Sequence, residues 1–61
     1  MDKKNYMTEK EVSEYTGIGI KTLQMHRLRH KGIPYIKVGR LVRYSIEEID
    51  KFMKSHTIAL S

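Results

Sequence analysis

The amino-acid sequence predicts an α+β domain, mostly α, whose elements follow the order helix, helix, β-hairpin, helix. Three observations predict it: a glycine-containing turn between two helical segments, a β-branched and aromatic segment around a single glycine, and two S/T-x-x-E helix starts. With 61 residues the chain has room for one domain. We expect residues 1–61 to form that single domain, with an ordered core over about 6–55 and a loose tail over 56–61.

The first helix is predicted to begin after Thr8. Thr8 and Glu11 have the spacing of a capping box, which satisfies two backbone N–H groups reciprocally at a helix start. The helix should end near Tyr15 or Thr16, because Gly17 can adopt the left-handed conformation that commonly stops a helix.

A second helix is expected from about Ile20 to Arg29 or His30, after a Gly-Ile-Gly turn over 17–19. Two helices joined by a tight glycine-containing turn are typical of the helix-turn-helix motif. Leu23 is the clearest core position of this second helix.

The segment 35–44 is predicted to form the hairpin, with its turn at Gly39. A two-residue turn would pair Ile36 with Arg43 and so mix apolar and charged side chains on one face. A three-residue turn over 39–41 would instead give one core face and one cationic face, and we favour that register. The cationic face would hold Lys37 and Arg43, with Arg40 at the tip. The core face would hold the pairs Val38 with Val42 and Ile36 with Tyr44.

The last helix repeats the start signal of the first. Ser45 and Glu48 have the capping-box spacing, and the helix should end near Lys54 or Ser55. Its apolar residues fall on one face at helical spacing. They are Ile46, Ile49, Phe52 and Met53.

Charge is distributed unevenly along the chain, which has a formal net charge of +5. Residues 17–44 contain no acid, and all seven acids lie outside that window. A cationic surface of this kind fits a phosphate backbone or anionic lipid, although charge alone equally allows a solvated face. The basic residues of the window are Lys21, Arg27, Arg29, Lys31, Lys37, Arg40 and Arg43.

Three stretches carry a family resemblance: 7–12 (MTEKEV), 17–24 (GIGIKTLQ) and 35–44 (YIKVGRLVRY). With these, residues 6–54 resemble the small MerR-like, excisionase-type helix-turn-helix proteins of phages and integrating elements. Two positions depart from the family pattern: Gly19 replaces a capping residue such as Ser, and His26 replaces a frequent tryptophan.

The resemblance implies a winged helix-turn-helix that binds double-stranded DNA in a sequence-specific way. It implies a role as an excisionase or as a transcription regulator of a mobile element. It also implies association of two or more copies on DNA, with an integrase as a candidate partner.

The predicted DNA contacts come from the second helix and the hairpin wing. Gln24 can pair bidentately with adenine, and Arg27 with guanine or phosphate. Met25 as core filler, and the wing charges as protection of a strand edge, remain alternatives. The helix candidates are Gly19, Lys21, Thr22, Gln24, Met25 and Arg27, and the wing candidates are Lys37, Arg40 and Arg43.

Other function classes find little support in the sequence. There is no cysteine, no phosphate loop and no Ser-His-Asp grouping at plausible positions, so we expect neither an enzyme nor a cofactor. His26 and His30 are spaced i, i+4, but no Cys or acid accompanies them, so we expect no metal site. No apolar run could span a membrane, and we expect a cytoplasmic protein. The alternative function is a cationic module that binds an acidic protein.

Overall fold

Three helices and a small antiparallel sheet make up the structure, a computed structural model that describes residues 5–58. This arrangement confirms the predicted winged helix-turn-helix fold. It also contains a short first strand that the sequence pattern did not reveal. In chain order the elements are β1 (Tyr6–Met7), α1 (Glu9–Thr16), α2 (Ile20–Leu28), β2 (Ile36–Val38), β3 (Leu41–Ser45) and α3 (Ile46–Ser55).

The capping box at the start of α1 is formed as predicted. The amide of Glu11 donates to Oγ1 of Thr8 at 3.2 Å, and the amide of Thr8 donates to Oε1 of Glu11 at 2.9 Å. Gly17 ends the helix in the left-handed conformation, with φ of 82°, and its amide donates to the carbonyl of Ser13. The local signals at both ends of this helix therefore determine where it begins and ends.

The second predicted capping box, at Ser45, is wrong. Ser45 is the N-cap residue of α3, but within the described chain its side chain makes no capping hydrogen bond. Strand β3 runs directly into α3 while β1 pairs with it, and the amide of Ile46 donates to the carbonyl of Asn5 at 3.0 Å. The start of α3 is thus anchored by the neighbouring strand.

The hairpin has the two-residue turn, so the three-residue register that we favoured is wrong. Ile36 pairs with Arg43, and Val38 with Leu41. The turn residues are Gly39 and Arg40, and only Gly39 has a positive φ, of 60°. Glycine at the first central position is the requirement of a type II′ turn, whose twist suits a hairpin. The conformational freedom of Gly39 therefore outweighs the apolar and cationic patterning of the strands.

This register divides the wing differently from the prediction. Because cross-strand partners share a face, Lys37 lies on the same face as Val42 and Tyr44, and Arg43 lies on the opposite face. The face that carries Arg43 also leaves three large apolar side chains in solvent. They are Ile36, Val38 and Leu41, which are 44%, 65% and 48% exposed.

The core lies between the sheet and the three helices. Tyr15 fastens α1 to α3 at its edge, where its hydroxyl donates to Oδ1 of Asp50 at 2.9 Å. That carboxylate raises the pKa of Tyr15 above its ordinary value. The buried residues are Val12, Leu23, Ile33, Tyr44 and Ile49.

The chain after α3 is described only as far as residue 58. His56 packs its ring on Phe52, with centroids 4.1 Å apart, and its backbone caps α3. Residues 59–61 of the predicted loose tail lie outside the described residues. Within residues 5–58, no helix has the length and apolar character needed to cross a membrane.

Candidate nucleic-acid interface

One side of α2 is open to solvent along its whole length. Lys21, Gln24, Met25 and Leu28 recur at i, i+3, i+4 and i+7, which places them on one face of the helix. Met25 is 47% exposed and Leu28 is 80% exposed, so neither is core filler. We call these four residues the α2 stripe. The sequence prediction omitted Leu28, although its spacing from Lys21 and Gln24 was visible.

The start of α2 differs from the starts of the other two helices. Gly19 is its N-cap and supplies no side-chain oxygen, and the first turn contains no acid. The first turns of α1 and α3 each contain two acids. Thr22 is exposed in this first turn. The N–H groups at the start of a helix that lack side-chain caps are available to an external acceptor.

Arg27, a predicted DNA contact, is half-buried and paired within the protein. Its Nη2 donates to Oε2 of Glu9 at 2.8 Å, and its guanidinium carbon lies 5.7 Å from the centroid of the Tyr35 ring. The hydrogen bond to Glu9 raises the pKa of Arg27 further above its ordinary value, which keeps the guanidinium charged. Only 23% of the Arg27 side chain is exposed. Its charge is therefore already compensated before any partner binds.

Gln24 shares the same carboxylate. Its Nε2 donates to Oε1 of Glu9 at 3.1 Å, so both oxygens of Glu9 accept from α2. Sequence reasoning did not identify Glu9 as part of the site, because Glu9 lies outside the acid-free window. The acid in the first turn of α1 was visible, but its contact with α2 depends on how the two helices pack.

Tyr44 lies beneath this cluster. Burial raises the pKa of Tyr44, since the phenolate is disfavoured away from water, and the nearby positive charge of Arg27 opposes part of that rise. Neither the Tyr44 hydroxyl nor Nε of Arg27 has a hydrogen-bond partner of good geometry among residues 5–58. Arg27 of α2 therefore interacts with Glu9 of α1 through an ion pair, and with Tyr44 of the wing through its charge.

A cleft of about 430 Å³ separates α2 from the wing. The α2 stripe borders it through Gln24 and Leu28, and Lys37 borders it from strand β2. One helix and one strand therefore open onto the same side of the molecule. The lining residues are Gln24, Arg27, Leu28, His30, Tyr35 and Lys37.

The three predicted wing cations do not act as one set. Lys37 faces the cleft and Arg40 is exposed in the turn. Arg43 does not share a face with Lys37, because the two-residue turn places it on the other side of the sheet. Its Nη1 donates to the carbonyl of Val42 at 2.7 Å, and the side chain is half-buried. The prediction of one cationic face containing both Lys37 and Arg43 is wrong.

The two histidines of α2 and its C-terminal turn have different surroundings. His26 is half-buried against Gly32, where an added Cβ would lie 2.6 Å from its Nδ1. His30 is exposed and has a φ of 54°. In the described part of the chain, no three metal-binding side chains come together.

Comparison with protein families gives one match that covers most of the chain. The family described as "Helix-turn-helix domain" matches residues 6–57. A comparison with curated proteins finds no match.

Proposed function

Because the chain belongs to the helix-turn-helix domain family, we propose that it binds specific double-stranded DNA sequences with α2 in the major groove. The observation that carries this proposal is the shared cleft. The α2 stripe and Lys37 of the wing open onto one side, so a duplex can meet the helix and the strand together. A major groove admits an α-helix, and a strand can track the adjacent backbone.

Sequence would be recognised by the α2 stripe. Gln24 offers hydrogen-bonding groups to base edges, while Met25 and Leu28 offer apolar contact to the C5-methyl group of thymine. Their high exposure supports this role, since neighbouring large apolar side chains in solvent form a patch of the kind that marks a binding surface. Arg27 stays paired with Glu9 and contributes by holding α2 in place.

Phosphates would be contacted by cations around the same side. Lys21 lies in the first turn of α2, Lys37 borders the cleft and Arg40 is at the wing tip. The uncapped, acid-free start of α2 adds favourable N–H groups for an anion. Such contacts give affinity and orientation, and they carry no sequence information directly.

The biological role that we propose is control of a phage or other mobile element, as an excisionase or as a transcription regulator, and not as an enzyme. The resemblance of residues 6–54 to MerR-like, excisionase-type proteins supports this role. Two or more copies would then bind along the DNA, with half-sites about 10 bp apart, and an integrase is a candidate partner. Footprinting on DNA flanking the gene tests this arrangement, and a single isolated footprint would argue against it.

The binding proposal is tested by selecting preferred sites from random duplex with the wild-type protein and with Gln24→Ala. We expect a defined wild-type motif and loss of preference at one or two base pairs in Gln24→Ala, equivalent to about 1–3 kcal/mol. Lys54→Ala, at the far end of α3, is the control and should return the wild-type motif. An identical motif from Gln24→Ala would show that Gln24 does not contact a base.

The alternative is a cationic module that binds an acidic protein without specific DNA recognition. The other face of the wing favours this second candidate. It exposes Ile36, Val38 and Leu41 beside Arg43, and exposed apolar patches are typical of protein-binding surfaces. Partner binding that is unaffected by excess competitor DNA would support this alternative.

A further inference from the structure

We propose that Glu9 is a positioning residue that fixes which chemical group Gln24 presents to DNA, so that Gln24 selects an amino-bearing base, adenine or cytosine. This inference rests on the proposed function, because it assumes that Gln24 faces the major groove. It adds a determinant of specificity that lies on α1, outside the helix that enters the groove.

The carboxylate of Glu9 determines the orientation of the Gln24 amide. An ionised carboxylate only accepts hydrogen bonds, so the amide nitrogen of Gln24 must be the group that faces it. Nε2 donates to Oε1 of Glu9 at 3.1 Å. The carbonyl oxygen of the same amide consequently points away from Glu9. A glutamine without such a neighbour can present either end of its amide.

Glu9 is itself held in place. Its second oxygen accepts from Nη2 of Arg27 at 2.8 Å, and only 19% of the Glu9 side chain is exposed. Arg27 is in turn stacked near the Tyr35 ring. The carboxylate is therefore fixed by a charged partner on α2, one turn further along than Gln24. Because the partner is charged, this hydrogen bond is of the stronger kind.

The outer end of Gln24 is exposed and borders the cleft. In the major groove, adenine and cytosine present an amino donor, whereas guanine O6 and thymine O4 are acceptors. A carbonyl oxygen held outward accepts from the amino group and repels the two keto oxygens. Each Watson–Crick pair presents one amino and one keto group, so Gln24 is expected to contact the amino base of its preferred pair, and removing that amino group should weaken binding.

The experiment compares the affinities of four duplexes that differ only at the Gln24-dependent base pair, and of the preferred duplex with the amino group of that pair removed. Wild type should bind its preferred pair roughly tenfold more tightly than the same pair without the amino group, with purine in place of adenine or 2-pyrimidinone in place of cytosine. Glu9→Gln replaces the acceptor by an amide that can accept or donate, which frees Gln24 to turn over. The amino preference should then fall several-fold in Glu9→Gln, and Glu9→Asp, which keeps a carboxylate, should retain more of it.

The matched control is Glu14→Gln, which makes the same change of charge on the exposed side of α1. It should raise affinity for all four duplexes alike and leave the preference unchanged. In the Gln24→Ala background, Glu9→Gln should not alter the preference further. A purely structural role of Glu9 would lower all affinities together, whereas a positioning role changes their ratio.

The outcomes separate this inference from the proposed function. Unchanged wild-type affinity after the amino group of the preferred pair is removed overturns the inference, and this result does not depend on the folding of any variant at Glu9. An unchanged preference in Glu9→Gln also overturns it, while the proposed function stands. If Gln24→Ala itself leaves the motif unaltered, both the base contact and the inference fail.

Discussion

The carboxylate of Glu9 lies 2.8 Å from Nη2 of Arg27, and this ion pair joins the first turn of α1 to the last turn of α2. A basic residue within the acid-free window is thus compensated by an acid 18 positions earlier in the chain.

Arg27→Ala should therefore lower the free energy of unfolding by more than it lowers the free energy of binding to random duplex. Removing the guanidinium leaves the Glu9 carboxylate without its charged partner and removes packing on Tyr35. We expect the free energy of unfolding to fall by about 1–2 kcal/mol. Arg29→Ala, at an exposed position, should change it by less than about 0.5 kcal/mol. Urea unfolding measures both. A fully stable Arg27→Ala with weaker binding to random DNA would instead make Arg27 a phosphate contact.

The two helix starts should respond differently to loss of their hydroxyl groups. Thr8→Ala removes one hydrogen bond of a formed capping box and should cost about 1 kcal/mol. Ser45→Ala removes a side chain that makes no capping bond within the described chain, and should cost less than about 0.5 kcal/mol. Thermal unfolding of both variants checks this difference. Equal losses of stability would show that Ser45 caps α3 in solution.

Two glycines at element ends should show opposite effects. Gly39→Ala places a side chain at a φ of 60° and should destabilise the wing by about 1–2 kcal/mol. Gly19→Ser adds a capping oxygen at φ of −62° and ψ of 149°, and should stabilise the protein by a few tenths of a kcal/mol. An added Cβ at Gly19 meets its nearest described neighbour, Oγ1 of Thr22, only at 4.0 Å, which is ordinary van der Waals contact. A stable Gly39→Ala would argue against the two-residue turn.

Gly32 should be less replaceable than Gly17, although both have left-handed backbone. Their φ values are 85° and 82°, so Ala at either position carries a similar backbone cost of about 1–2 kcal/mol. An added Cβ at Gly32 would lie 2.6 Å from Nδ1 of His26, whereas no described atom lies within 4 Å of one at Gly17. Gly32→Ala should therefore lower the free energy of unfolding by about 1–3 kcal/mol more than Gly17→Ala does. Equal midpoints of chemical unfolding would contradict this close approach.

Local signals predicted the first half of the chain better than the hairpin. The α1 start depends on Thr8 and Glu11, which lie within one turn of each other, so their spacing alone was sufficient. The same spacing at Ser45 was overridden because β1 pairs with β3 there. A two-residue strand such as Tyr6–Met7 has no pattern of its own and exists only through that pairing.

Face patterning predicts the wrong hairpin register, because the geometry of the turn determines how the two strands pair. Gly39 suits the first position of a two-residue turn, and this preference wins even though it exposes Val38 and Leu41. The contacts of Glu9 with Gln24 and Arg27 could not be predicted, since they depend on how α1 packs on α2. The exposed stripe of α2 is predictable from helical spacing, but the prediction omitted Leu28 and included Arg27, which pairs with Glu9.

A matched pair of cations on the wing tests whether α2 and the Lys37 side of the wing form one DNA-binding surface. Lys37 borders the cleft beside α2, and Arg43 lies on the opposite face of the same two strands. Removing either changes the net charge equally. Any difference between the two variants therefore reports which face meets the DNA.

The most direct measurement is the slope of log Kobs against log salt concentration for random duplex, with wild type, Lys37→Ala and Arg43→Ala. Each phosphate contact contributes roughly 0.9 to the magnitude of that slope. We predict that Lys37→Ala lowers it by about one unit and that Arg43→Ala leaves it unchanged. A slope lowered by Arg43→Ala and not by Lys37→Ala would instead place the DNA on the other face of the wing, away from the cleft beside α2.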